Sequence, residues 1–419
     1  MPDQSHSVHA GVASPMFSRA RITRPERSPY EDHGRGPWLI NGPRPYLETA
    51  EDSSPAEREY VFVEVCTDEG ITGWGEITGT QPTANRAVCA VVRHLNEFLI
   101  GEDPTHIERI WHKIFRTFTY MGSRGASTNA ISGIDIALWD IRGKIEGLPI
   151  YEFFGGPVRE SVPVYCHPED GSTVELSAQH ARAIVETGQT AFKVDPWFPH
   201  HPEEADGYLT GKLTAEAENH GVELVAAMRD AVGPDIEILI DCHGRFDVPT
   251  AIRLANALEP YNIFWFEEPV PVESYKALKQ VKDSVGVPIC VGERLHTRWD
   301  FLPVLEGGLA DFIMPDVTWT GGITELKKIA TMAEAYYIPI SPHDASGPIN
   351  VIAGAQVMIT VPNHYRVEIS RADLSAYDAF TDHPIDLRGD AIHLSDRPGL
   401  GFKLDREYLA AHALDGYAG

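Results

Sequence analysis

The chain has 419 residues, 43% of them hydrophobic and 23% charged, with 61 acidic against 35 basic side chains and a net charge of −26. Such a composition is that of an ordinary globular protein. A surface this acidic repels phosphate backbones, which excludes nucleic acid as a partner, and the length predicts two or three domains, or a barrel with an accessory domain.

The N-terminal stretch "MPDQSHSVHAGVASP" has no basic start followed by an apolar run, so no secretory signal is expected. No apolar run reaches membrane-spanning length, so no membrane partner is expected either. Five cysteines (Cys66, Cys89, Cys166, Cys242, Cys290) are scattered without a C-x-x-C pair. That pattern predicts reduced thiols and a cytoplasmic location. Residues 1–57 are rich in Pro, Ser, Arg and Gly and read mostly as loop, with one short strand near "FSRARIT" and a long loop over 24–57. "YVFVEVCTDEGITGWGEIT" alternates apolar residues on either side of a "DEG" turn, the signature of a hairpin. Helical periodicity follows in "TANRAVCAVVRHLNEFLIG", "THIERIWHKIFRTF" and "NAISGIDIALWDIRGKIEG". Residues 1–150 therefore read as one α+β domain.

Beyond residue 151 the rhythm changes. Eight short β-rich runs end in polar residues at 167, 195, 243, 269, 293, 316, 343 and 369, giving steps of 28, 48, 26, 24, 23, 27 and 26 residues. A strand, a returning helix and two short loops need about this much chain. Eight such strands over 151–384 predict a parallel β/α barrel. An open doubly wound sheet is the weaker alternative, because no glycine-rich phosphate loop follows the first strand. The 48-residue step carries an insertion, residues 196–220, expected to overhang the barrel mouth. Residues 385–419 leave the barrel and are expected to fold back on the first domain.

Strand ends in a parallel barrel converge on one mouth, where active sites sit. Asp241 ends the third strand, Glu267 the fourth and Glu293 the fifth, at separations of 26 and 26 residues. Three unpaired carboxylates facing one point repel strongly. A hard divalent cation explains them, and Mg2+ suits an all-oxygen set better than zinc does. Lys193, His243 and His343 end the second, third and seventh strands and are candidate bases around that cation. Asp316, ending the sixth strand, can accept the second N–H of His343 and fix its tautomer. A single such group is more often a structural cap, but the coincidence of all of them points to catalysis. Three carboxylates and one Mg2+ sum to −1, so removal of a carbon-bound proton from a carboxylate substrate requires Lys193 and an imidazolium to offset the growing charge. Glu368, ending the eighth strand, either shares a hydrogen bond with a substrate oxygen or pairs with Arg366 or Arg371.

Together "SGIDIALWDIRGK", "LIDCHGRFD", "FWFEEP", "VGERL", "MPDVTWTGG", "SPHDASGPI" and "RPGLGF" resemble the enolase superfamily, and within it the mandelate racemase subgroup, over nearly the whole chain. The resemblance implies a (β/α)7β TIM-type barrel with an N-terminal α+β capping domain. It implies one Mg2+ per subunit on Asp241, Glu267 and Glu293, with Asp316–His343 as the general-base dyad. Relatives are commonly tetramers or octamers, so a homo-oligomer is expected. Racemases of the subgroup carry Lys-x-Lys at the second strand; here Asp195 stands where the second lysine would be, and His243 replaces it in a context similar to sugar-acid dehydratases. The expected reaction takes a C2 proton from an aldonate through His343 and expels the C3 hydroxyl with a proton from His243, giving a 2-keto-3-deoxy acid. Lys193, Asp195, His243, His343 and Glu368 are then expected to contact the substrate, which remains open among galactonate, gluconate, mannonate and pentonates. The competing readings are a racemase, epimerase or lactone cycloisomerase using the same enolate, and a non-catalytic binding homologue.

Overall fold

The structure is a computed structural model that describes residues 20–23, 37–43, 57–78, 82–168, 173–197 and 210–418. Its first layer is an antiparallel sheet in which β3 (Glu57–Thr67) pairs with β1 (Ile22–Thr23), β2 (Trp38–Pro43) and β4 (Thr72–Ile77). The β3–β4 hairpin is the one the alternating pattern predicts. Strand β2 corrects the expectation of continuous loop over 24–57. It is registered Trp38↔Phe62 on β3, and Leu39 and Ile40 are fully buried. Glycines and prolines on both sides hid this short apolar run. Residues 24–36 and 44–56 of the predicted loop lie outside the described residues.

Three helices, Pro82–Leu99, Ile107–Thr117 and Ala126–Glu146, cover the sheet. The last of these is buried on almost every face because it lies between this sheet and the barrel. Glycine permits the approach on the sheet side: a Cβ on Gly75 would stand 1.8 Å from the Gly133 carbonyl oxygen, and one on Gly73 2.1 Å from that of Ala137.

The second layer is a barrel of parallel strands, β5 (Val162–Cys166), β6 (Ala191–Val194), β7 (Glu237–Asp241), β8 (Trp265–Glu267), β9 (Ile289–Val291), β10 (Phe312–Ile313) and β11 (Val367–Ile369). Successive strands from β5 to β10 pair in parallel, and β11 pairs with β5. At the seventh position "IPISPH" makes isolated parallel bridges, Ile313↔Ile340, Asp316↔His343 and Ile340↔His364, which close the ring. A helix follows each of the first seven positions (174–186, 215–232, 248–258, 275–282, 297–307, 322–335 and 348–358). This is the (β/α)7β architecture with its α+β cap. At the end of the insertion over 196–220 helix begins at Ala215, capped by the Thr214 side chain, and residues 198–209 lie outside the described set.

Two short strands, β12 (Leu387–Arg388) and β13 (Ala391–Ile392), extend β5 beyond the barrel. The chain then reaches the cap, where Leu414 N–H donates to Leu39 O and Leu39 N–H to Tyr417 O. No helix among the described residues is long and apolar enough to cross a membrane.

Cap and barrel share buried polar contacts. Glu76 of β4 accepts the N–H groups of Ile349 and Asn350, at the start of the helix Pro348–Met358. Asp135 accepts both the N–H and the hydroxyl of Thr324. His296, in the loop after β9, accepts the N–H of Gly125 through Nε2 at 3.0 Å. Burial, reinforced by Arg124, lowers the pKa of this imidazole from 6.5 to about 4 against the opposing pull of Asp300. The folded pKa lies below the unfolded one, so this stability is complete above pH 6.5 and is lost as pH falls toward 4. The expected loss is about 2 kcal/mol at pH 5. Thermal melts between pH 7.5 and 5 check it: the fall in Tm should shrink in His296→Gln, whose amide cannot titrate.

Candidate active site

The sheet register assembles the mouth. Asp241 pairs directly with Glu267 across β7 and β8, so their side chains point to the same side. Glu293 follows β9 by two residues. One carboxylate oxygen from each of the three lies within 4.8 Å of the other two. A small cation with oxygen ligands at about 2.1–2.5 Å spans nearly that distance.

Each flank of the trio carries an imidazole held by a carboxylate. On one side His243 Nδ1 lies 2.7 Å from Asp195 Oδ2, and its Nε2 is 3.5 Å from Asp241 Oδ2. His243 adopts a left-handed backbone (φ 50), a conformation unfavourable for a side chain of this kind, and its N–H donates to Asp241 Oδ1 at 2.8 Å. On the other side His343 Nδ1 lies 2.8 Å from Asp316 Oδ2, and its Nε2 is 3.2 Å from Glu293 Oε2. Both rings therefore aim Nε2 at the acidic cluster.

Asp195, expected to contact the substrate, is engaged by its neighbours. One of its oxygens meets His243 and the other accepts from the Arg245 guanidinium, so the carboxylate is a support for the imidazole. Lys193 departs from its reading as a base. Its ammonium, 1% exposed, lies 2.7 Å from Glu267 Oε1, 2.7 Å from Glu368 Oε1 and 3.4 Å from Asp241 Oδ2. Burial opposes its charge, but Glu267 and Glu368 outweigh burial and raise its pKa well above normal. It is a fixed cation. Glu368 does not pair with Arg366, which turns instead to Glu237 and Asp390. It is held by Lys193, by His167 Nε2 at 2.6 Å and by the Tyr165 hydroxyl at 2.8 Å. Burial raises its pKa, and Lys193 and His343 more than reverse that, keeping Glu368 ionised.

The electrostatics test whether a cation fits. Burial and the charge of Asp241 push the Glu267 carboxyl well above its usual range. Burial disfavours the imidazolium of His343, yet Glu368, Glu293 and the bond to Asp316 raise its pKa to about 10. His243 is raised to about 9, with Asp241 and Asp195 overcoming burial. A protonated imidazole is no base. A divalent cation on the trio would relieve the crowded carboxylates and remove the pull that holds the imidazole protons. The donor set and its charge fit such a cation.

Sequence reasoning overlooked Tyr165, His167, Arg245, Thr318 and Asn350. Only His167 had a usable signal, since it is the first strand's polar end in the same ladder of steps. Thr318 donates its N–H and hydroxyl to Asp316 Oδ1 at 2.7 and 2.8 Å, and Asn350 Nδ2 lies 3.2 Å from Oδ2. These contacts depend on loop conformation, which spacing does not report.

Comparison with known proteins agrees with this architecture. Residues 44–155 match the mandelate racemase/muconate lactonizing enzyme N-terminal domain, and residues 175–408 match the enolase C-terminal domain-like family. The chain belongs to the mandelate racemase/muconate lactonizing enzyme family of the enolase superfamily. It is 35% identical over 364 residues to the D-xylonate dehydratase of Haloferax volcanii, covering 85% of this chain and 86% of that one. It is 36% identical over 361 residues to the D-galactonate dehydratase of Variovorax paradoxus, covering 84% and 90%. Among solved structures, a mandelate racemase/muconate lactonizing enzyme-like protein from Rubrobacter xylanophilus superimposes with a TM-score of 0.82 at 33% identity, covering 96% of this chain and 100% of that one.

Proposed function

We propose that this chain is a Mg2+-dependent aldonate dehydratase, a hydro-lyase that converts a sugar acid of the galactonate, gluconate or pentonate type into its 2-keto-3-deoxy acid. The observation that carries the reading is the pair of carboxylate-held imidazoles aiming Nε2 into one acidic cluster from opposite sides. The sugar-acid dehydratases among its relatives support the same class of reaction.

Asp241, Glu267 and Glu293 would hold the Mg2+ ion, which supplies positive charge beside the substrate carboxylate as its α-carbon is deprotonated. His343 Nε2 takes the C2 proton, while Asp316 holds Nδ1–H and stabilises the resulting imidazolium. The electron pair left on the substrate forms the enol and expels the C3 hydroxyl. His243 Nε2 protonates that hydroxyl so that it leaves as water, with Asp195 orienting the ring from Nδ1. The enol then becomes the ketone at C2 by taking a proton at C3. Lys193 and Glu368 stay as a fixed, oppositely charged pair beside the carboxylate trio.

Incubating the Mg2+-loaded enzyme with a library of aldonates and trapping with semicarbazide tests the assignment. A new 2-keto acid from at least one aldonate is expected. Turnover without keto-acid formation assigns a racemase, epimerase or cycloisomerase instead, and no turnover of any acid assigns a binding homologue.

A further inference from the structure

We infer that Thr78, a residue of the cap, is a positioning residue for the His343–Asp316 pair, acting through an ordered chain of buried hydroxyl groups. The inference rests on the assignment of His343 as the base. Thr78 directly follows β4 and is buried against the barrel, with its Oγ1 2.5 Å from Thr318 Oγ1 and 3.2 Å from Ser346 Oγ. Thr318 lies in the loop after β10, and Ser346 lies just before the helix that follows the seventh strand position.

A hydroxyl has one proton to give, and an ionised carboxylate can only accept. The Thr318 hydroxyl proton is committed to Asp316 Oδ1. At the short contact between the two threonines, Thr78 must then donate and Thr318 accept. With both threonine protons so used, Ser346, whose Oγ stands 3.2 Å from Thr78 Oγ1 and 3.2 Å from Thr318 Oγ1, can only donate into this pair. The direction that matters is thus fixed: Thr78 to Thr318 to Asp316, with Ser346 feeding one or the other threonine. Each O–H polarises the next, and the last delivers its donor to the oxygen of Asp316 that does not face His343. The other oxygen is left for Nδ1.

Thr78 belongs to a different domain from Thr318 and Ser346. The neighbouring Glu76 is fastened to the barrel through Ile349 and Asn350, so the seating of the cap sets where the Thr78 hydroxyl stands. A cap displaced by an ångström breaks the 2.5 Å contact, and the orienter of the base then loses its polarised donor. Correct docking of the cap and correct aim of the base become one condition.

Thr78→Val keeps shape and removes the hydroxyl; Thr78→Ser restores the hydroxyl with a smaller side chain. Two readouts on the full-length, Mg2+-loaded protein decide. The first is the downfield proton resonance of the His343 Nδ1–H in protein labelled with 15N-histidine, identified by its absence in His343→Asn; it requires no substrate. The second is kcat against KM for the aldonate found to turn over. Thr78→Val is expected to move or broaden the resonance and to lower kcat about 3- to 10-fold, with KM within about twofold. Thr78→Ser is expected to recover both. An unmoved resonance in Thr78→Val, or a Thr78→Ser protein as impaired as the valine variant, overturns the inference. Should Thr78→Val fold poorly, Ser346→Ala removes the donor that feeds the two threonines, and it must shift the resonance in the same sense for the inference to stand. If wild-type protein dehydrates no aldonate, the proposed function fails while the resonance still judges the hydroxyl chain.

Discussion

Replacing His343 with asparagine should lower kcat by about 10^3- to 10^4-fold, and the same variant should lose exchange of the substrate C2 proton with deuterated water. Both losses follow from one group: Nε2 faces the acidic cluster at 3.2 Å from Glu293. The His243→Asn protein should behave differently. It should fail to release water yet still wash deuterium into C2, because the base is intact and only the acid is gone. Proton NMR of the aldonate in deuterated buffer checks both variants in one experiment. Exchange surviving in the His343 variant and vanishing in the His243 variant would reverse the two roles.

Chelation should produce an effect at least as large. Treatment with EDTA is expected to reduce turnover by about 10^3-fold or more, and added Mg2+ should restore it. The trio gathers three carboxylates within 4.8 Å, and Lys193 directly contacts two of them. Filling that site should raise Tm by mass action, equivalent to about 2.7 kcal/mol at a hundredfold excess over Kd. Scanning fluorimetry of the chelated and Mg2+-supplemented protein measures the shift. Glu267→Gln should abolish it, which separates specific binding from a general effect of salt on so acidic a chain.

Much of this site is legible in the sequence. The equal 26-residue separations of Asp241, Glu267 and Glu293 report neighbouring barrel strands because each step is one strand and one helix. The pairing of Asp316 with His343 could be read for the same reason, since adjacent strand ends must meet. What spacing cannot report is which way a side chain turns when several partners compete. Lys193 had three carboxylates within reach and became a fixed cation. Asp195 faced either the substrate or His243, and Arg245, four residues past the end of β7, draws its other oxygen. Strand β2 was lost to its flanking Gly and Pro, a local signal overridden by pairing with β3. Thr78 lay beyond reach altogether, because its partners sit more than two hundred residues away in sequence.

The carboxylates of Glu76 and Asp135 have a bearing on how the chain can be divided. Each belongs to the first third of the sequence yet terminates a helix of the barrel. Severed near residue 150, the N-terminal fragment would bare two acids shaped for absent helix ends, and the C-terminal fragment would expose those ends uncapped. Gene fusions or swaps that exchange substrate loops in this scaffold should therefore carry the two acids and their helix starts together, as a matched lock between the halves.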